Sequence, residues 1–206
     1  MIFCTALPLS AATITIDFEG FADGTLLTGQ YSGLTFTNAI ILTSGISLNE
    51  FEFPPHSGAN VASDNTGPIS ISFSTPVSVF AAYFTYGEAI TVTAFGFGGQ
   101  ELTSVHSGVS DNEALSGTPG SSPNELLDVG SAAGIYSITI AGDPGGGSFV
   151  MDDATYKTTI AAVPEAGTDM VVCTGAIFLL FYRSRQVRFK RYLANAVRSS
   201  RGESLI

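Results

Sequence analysis

The chain has 206 residues, 45% of them hydrophobic and 13% charged, with 23 Gly, 9 Pro, 2 Cys and no Trp. That composition is globular rather than disordered and fits one domain with terminal segments. Eight basic against 18 acidic side chains give a net charge of −10, which repels phosphate backbones and excludes nucleic acid as a partner of the main body.

The charge is unevenly divided. Residues 1–160 hold 15 acids and one base, Lys157, whereas residues 183–206 hold seven bases and one acid, Glu203. A body of net charge −14 is therefore joined through an apolar stretch to an end of net charge +6. At the start, residues 1–12 are small and apolar and close on Ser10-Ala11-Ala12, the small residues that a signal peptidase accepts. They resemble the back half of a signal peptide that lacks its positive n-region, and a buried first strand is the other reading.

From Thr13 to Lys157 the hydrophobic period is two. Ile14, Ile16 and Phe18 alternate with Thr and Asp, and Ile69, Ile71 and Phe73 alternate with Ser. Ile90, Val92 and Ala94 alternate with Thr, and Tyr136, Ile138 and Ile140 with Ser and Thr. Each segment predicts a half-buried strand with a hydroxyl-rich outer face. Val77 to Tyr86 is largely apolar on both faces, as a central strand would be, and Pro76 is placed to start it. Turns are expected at Asp23-Gly24, Ser57-Gly58, Asn65-Thr66-Gly67, Gly98-Gly99 and Gly145-Gly146-Gly147, and the longest loop region between Ser104 and Ser122. The pattern predicts an all-β fold, an antiparallel β-sandwich of nine or ten strands over residues 13–158.

Residues 159–169 read as a linker, followed by an uncharged run of 13 residues, Met170 to Tyr182, and then by Arg183, Arg185, Arg188, Lys190 and Arg191. A hydrocarbon core of roughly 30 Å needs about 20 apolar residues, so the run alone is short. Beginning at Ala161 gives 22 residues at the cost of including Pro164, Glu165 and Asp169. The basic cluster decides for a C-terminal transmembrane helix over 170–182 with a basic cytoplasmic tail over 183–206, because Lys and Arg beside a span stay in the cytoplasm. Arg183 to Arg201, with Phe189, Tyr192, Leu193 and Val197, could also lie as a basic helix on an anionic leaflet.

Val163-Pro164-Glu165, the apolar run and the Arg cluster together resemble the PEP-CTERM sorting tail of Gram-negative bacteria. The likeness covers about residues 162–191. It implies processing at Val163, Pro164 and Glu165 by an exosortase, a membrane-embedded transpeptidase. It also implies an exported protein of the cell surface, extracellular matrix or biofilm, associated with exopolysaccharide. Ala166 stands where a second Pro is common, and 15 residues follow Arg191. An ordinary single-span anchor is the alternative.

The body has its own resemblance. Asp17-Phe18-Glu19-Gly20-Phe21 at its opening, Ser121-Ser122-Pro123-Asn124-Glu125-Leu126-Leu127, and Gly147-Ser148-Phe149-Val150-Met151-Asp152-Asp153 at its close are similar to jelly-roll domains of the carbohydrate-binding-module type. In such modules, carboxylates of the first and last strands often meet at one edge around a structural calcium, which points to Asp17, Glu19, Asp152 and Asp153. Strand parity puts Asp17 and Glu19 on one face, but sends Asp152 and Asp153 opposite ways, so only one of the closing pair joins directly. Polysaccharide binding would draw on exposed aromatics, with Tyr31, Tyr83, Tyr86 and Phe97 as candidates.

Enzyme signatures are sparse. His56 and His106, both in His-Ser-Gly, read as loop-tip histidines outside any GxSxG or HExxH pattern. Cys4 and Cys173 fall in the terminal segments and offer no CxxC pair. The sequence thus describes an exported non-enzymatic β-sandwich. A secreted carbohydrate-active enzyme, or its carbohydrate-binding accessory domain, is the alternative.

Overall fold

The computed structural model describes residues 11–158. The expected signal segment, the Val163-Pro164-Glu165 motif, the apolar run and the basic cluster lie outside the described residues. Ten strands follow in order: β1 (Thr13–Ile16), β2 (Leu26–Leu27), β3 (Leu34–Thr37), β4 (Ala39–Thr43), β5 (Asn60–Asn65), β6 (Ile69–Tyr86), β7 (Thr91–Phe95), β8 (Glu101–His106), β9 (Glu125–Ala141) and β10 (Gly146–Thr158). Every pairing between them is antiparallel.

Two long strands build both layers. The first half of β6 pairs with β3 and with the second half of β9, which continues to β7 and β8. Its second half pairs with β10 and with the first half of β9, and β10 continues to β1 on one stretch and to β5, β4 and β2 on another. Strands that cross between sheets need a bend, and the ladder of β6 and β9 loses register between Ser72 and Val77. Pro76, which has no N–H to give a ladder, sits inside that irregular stretch. Opposite it Gly134 has φ +84°, and a Cβ there would lie 3.1 Å from the Pro76 Cβ, so both bends depend on glycine at 134. Pro76 therefore does not start a strand, as the sequence implied, but marks the corner within one.

The period-two segments supply the core. Ile16, Ile69, Ile71, Phe73, Ile90, Val92, Ala94, Ile138 and Ile140 are all buried in one cluster between the layers. Phe18 is buried too, although β1 has already ended and its φ is +59°. Ile14 is instead 38% exposed, on a short strand that pairs only with β10. A small second cluster of Leu48, Val61 and Val150, with Leu42 and Phe53 against it, lies under the 44–59 connection between β4 and β5. The long 107–124 connection covers most of the expected loop region and runs two residues beyond it, while Ser104 to His106 belong to β8.

Candidate functional site

Chemistry concentrates where the 44–59 connection meets β1, β6 and β10. Among the described residues Lys157 is the sole Lys or Arg, so carboxylates must find N–H and O–H donors rather than cations. The Glu19 Oε1 accepts the backbone N–H of Ala59 at 2.7 Å and of Asn60 at 2.8 Å. From the other side, Asp152 Oδ2 accepts the N–H of His56 at 2.8 Å and of Ser57 at 2.9 Å, while its Oδ1 takes the N–H of Asp153. Asp153 accepts from His56 Nδ1 at 2.6 Å and from the Ser57 hydroxyl at 3.0 Å. The His56 ring lies flat on Tyr83, with centroids 3.5 Å apart and planes 9° from parallel.

Strand parity fails at the closing pair. Asp153 has φ +44°, and the β10–β6 register shifts between Asp152 and Thr155, which is a bulge. The extra residue turns both carboxylates onto the same two loop residues, where regular alternation would have separated them. Asp tolerates this left-handed region better than most side chains. Two adjacent aspartates within an otherwise apolar strand segment were the one signal in the sequence that could have disclosed it.

The structure thus brings Glu19, Asp152 and Asp153 to one loop, while Asp17 Oδ1 accepts the Glu19 N–H at 3.2 Å. Asp152 is only 1% exposed. Burial pushes its carboxyl up to about 6, against the backbone N–H groups that favour the charged form. Among the described residues no three His, Cys, Asp or Glu side chains are grouped to hold a metal ion. His56 is no free loop tip. Its Nδ1 is oriented by Asp153 as in an acid–base pair, yet Ser57 gives its proton to that same carboxylate rather than to the ring. What the cluster does chemically is fasten a 16-residue connection to the sandwich.

No family model and no curated protein matches the chain. Among solved structures, it is similar to the K2 cleaved adhesin domain of Lys-gingipain at 15% identity, over 70% of this chain and 99% of that one, with a TM-score of 0.46. It is similar to the K1 adhesin domain of Lys-gingipain from Porphyromonas gingivalis W83 at 9% identity, over 71% and 98%, with a TM-score of 0.45. A family 29 carbohydrate-binding module from Piromyces equi aligns at 14% identity over 73% and 92%, with a TM-score of 0.37. At such values the likenesses carry no residue role and no ligand over to this chain.

The four aromatic candidates separate clearly. Tyr31 packs edge-on against Phe18 and Phe21, and burial pushes its phenol up to about 12. Tyr86 is fully buried with its hydroxyl on Glu125, and burial first, then that carboxylate, raises it to about 12. Tyr83 is covered by His56. Phe97, 85% exposed in the β7–β8 turn and leaning on Tyr136 at 5.3 Å, alone offers an open ring. A cleft of about 340 Å³ lies between Tyr86 and the 107–124 loop, but its central amide, Asn112, is saturated by Tyr86 N, Phe84 O and Ser122 O.

Proposed function

We propose that this chain is an exported, non-enzymatic β-sandwich of the cell surface or extracellular matrix, delivered by a PEP-CTERM-like tail that an exosortase processes, and that it binds exopolysaccharide. The observation that carries the reading is the division of charge, a −14 body and a +6 end about an uncharged run, with Val163-Pro164-Glu165 just before it. Such a run is retained at a membrane with its basic side in the cytoplasm. The paired ends of the body support a single point of attachment, since Thr13 and Lys157 are register partners on β1 and β10. The carboxylates support a binding module over a catalyst, because those of Glu19, Asp152 and Asp153 are engaged in holding a loop. The Asp153-oriented His56 is the one feature in favour of the alternative, a secreted carbohydrate-active enzyme.

Expression of the full chain in hosts with and without an exosortase, followed by intact mass of the mature protein, tests delivery. The expected result is loss of everything after about Pro164 in the first host only. An uncut tail in both would leave a simple anchored ectodomain. Calcium at Asp17, Glu19, Asp152 and Asp153 belongs to the same proposal, but these carboxylates accept N–H and O–H groups as they stand, so the ion would have to draw them together and displace some of those bonds to gather about six to eight oxygens at roughly 2.3–2.6 Å. In chelator-treated protein the ion would raise the Tm on calcium addition, and Glu19→Ala would abolish the rise. An unchanged Tm assigns these carboxylates to the loop alone.

A further inference from the structure

The outer face of the β3–β6–β9–β7–β8 layer is a grid of hydroxyls. Thr37, Ser70, Thr139, Thr93 and Ser104 are register partners in turn across all five strands. Two residues along, Thr35, Ser72, Ser137 and Phe95 form a second row. Rows of this kind place side chains about 4.8 Å apart between strands and roughly 7 Å apart along them. Every member is exposed or half-exposed.

Two facts separate this face from an ordinary solvated sheet. A body with 15 acids puts none inside the grid, the nearest being Glu101, opposite Phe95 at the sheet edge. Exposed strand faces also favour Thr for its branched shape but have no such reason to choose Ser, which fills four of the nine positions. Within the two rows the one side-chain hydrogen bond among the described residues is a long Ser70–Thr139 contact of 3.4 Å. The remaining hydroxyls are free to donate and to accept. At the end of the second row, Phe95 lies in the face itself, and the exposed Phe97 follows two residues later in the β7–β8 turn.

We propose that this face is the binding surface for a neutral, extended polysaccharide laid across the strands, an assignment that rests on the polysaccharide reading above. Uncharged hydroxyls that both donate and accept match a ligand made of the same groups. The surrounding −14 charge disfavours a polyanion. The aromatic end gives sugar C–H faces a ring to pack on. Sheet twist of about 20–25° per strand suits a flexible chain better than a planar crystal such as ice.

The test is native affinity electrophoresis of the full chain in mild detergent, in gels containing hydroxyethylcellulose, dextran or alginate. The variant is Thr37→Val/Thr93→Val/Thr139→Val, which removes three hydroxyls and keeps the β-branched shape, with an unchanged Tm as its folding control. Retardation by a neutral glucan but not by alginate, weakened at least tenfold in the triple variant, is the expected result. If the triple variant binds as the parent does, this face is not the site, although the polysaccharide reading stands. If the parent is retarded by neither neutral glucan, both fall. Inhibition of ice recrystallisation by the parent without glycan binding would overturn the ligand.

Discussion

Asp64→Ala is expected to lower the Tm by about 10–15 °C, because it orphans three buried donors at once. Asp64 is 2% exposed on β5, with no cation paired to it among the described residues. Its register partner strand β10 slips between Gly146 and Val150, so the ladder there leaves N–H groups without main-chain acceptors. The Asp64 carboxylate replaces them. Its Oδ1 accepts Ser148 N–H at 2.9 Å and Phe149 N–H at 3.0 Å, and its Oδ2 accepts the Ser148 hydroxyl at 2.9 Å. That hydroxyl in turn accepts the Asp143 N–H, so one side chain organises the whole β9–β10 turn. Removing it costs about 3–5 kcal/mol, at ~1–3 kcal/mol for each buried group left unpaired. Asp64→Asn keeps one oxygen for the two N–H groups and offers an amide to Ser148 Oγ, so it should cost only about 1–2 kcal/mol. Calorimetry of both variants checks the ordering. A loss below about 1 kcal/mol in Asp64→Ala would mean that water replaces the carboxylate at this turn.

Much of this architecture was legible because alternation of apolar and hydroxylic residues is a direct statement of which face is buried. Ile69-Ser70-Ile71-Ser72-Phe73 and Ile90 to Ala94 lie as that alternation requires. What escaped were the places where backbone geometry changes without a change in pattern. Pro76 looks like a strand start from the sequence alone, since nothing local discloses that Gly134 will bend beside it. The left-handed Asp153 inverts the facing of a single residue, and that was enough to hide a site to which His56 is brought by nearly a hundred intervening positions. His56 itself gave no signal, because a histidine in a turn sequence is judged by its neighbours along the chain and not by Tyr83 beneath it. The carboxylates were found, but their partners were not, since backbone N–H groups leave no mark in a sequence. The hydroxyl rows were visible as an outer-face composition, strand by strand. Their alignment into rows depended on register, which only pairing decides.

The stability of the wild type relative to Asp152→Asn is expected to fall as pH rises from about 4 to 6, by about 3 kcal/mol in all. Burial holds the Asp152 carboxyl at about 6 in the folded chain, above its ordinary 3.8. Between those values the folded state binds the proton and the unfolded state does not, so each step up in pH favours unfolding. Above about 6 both states are ionised and the difference is constant, while below about 4 both are protonated and it is constant again. The amide introduced by Asp152→Asn does not titrate, so subtracting that variant's curve removes every other carboxylate in this acidic body. Urea unfolding of both proteins at half-unit steps from about pH 4 to 7.5 gives the comparison directly. A difference that grows with pH would show instead that the N–H groups of His56, Ser57 and Asp153 dominate over burial and hold the folded carboxyl down. The expected sign makes the clamp on the 44–59 connection strained at neutral pH. The strain is tolerated because an ionised Asp152 takes those three N–H bonds in full, and Asp153 beside it is thereby fixed to orient His56 over Tyr83.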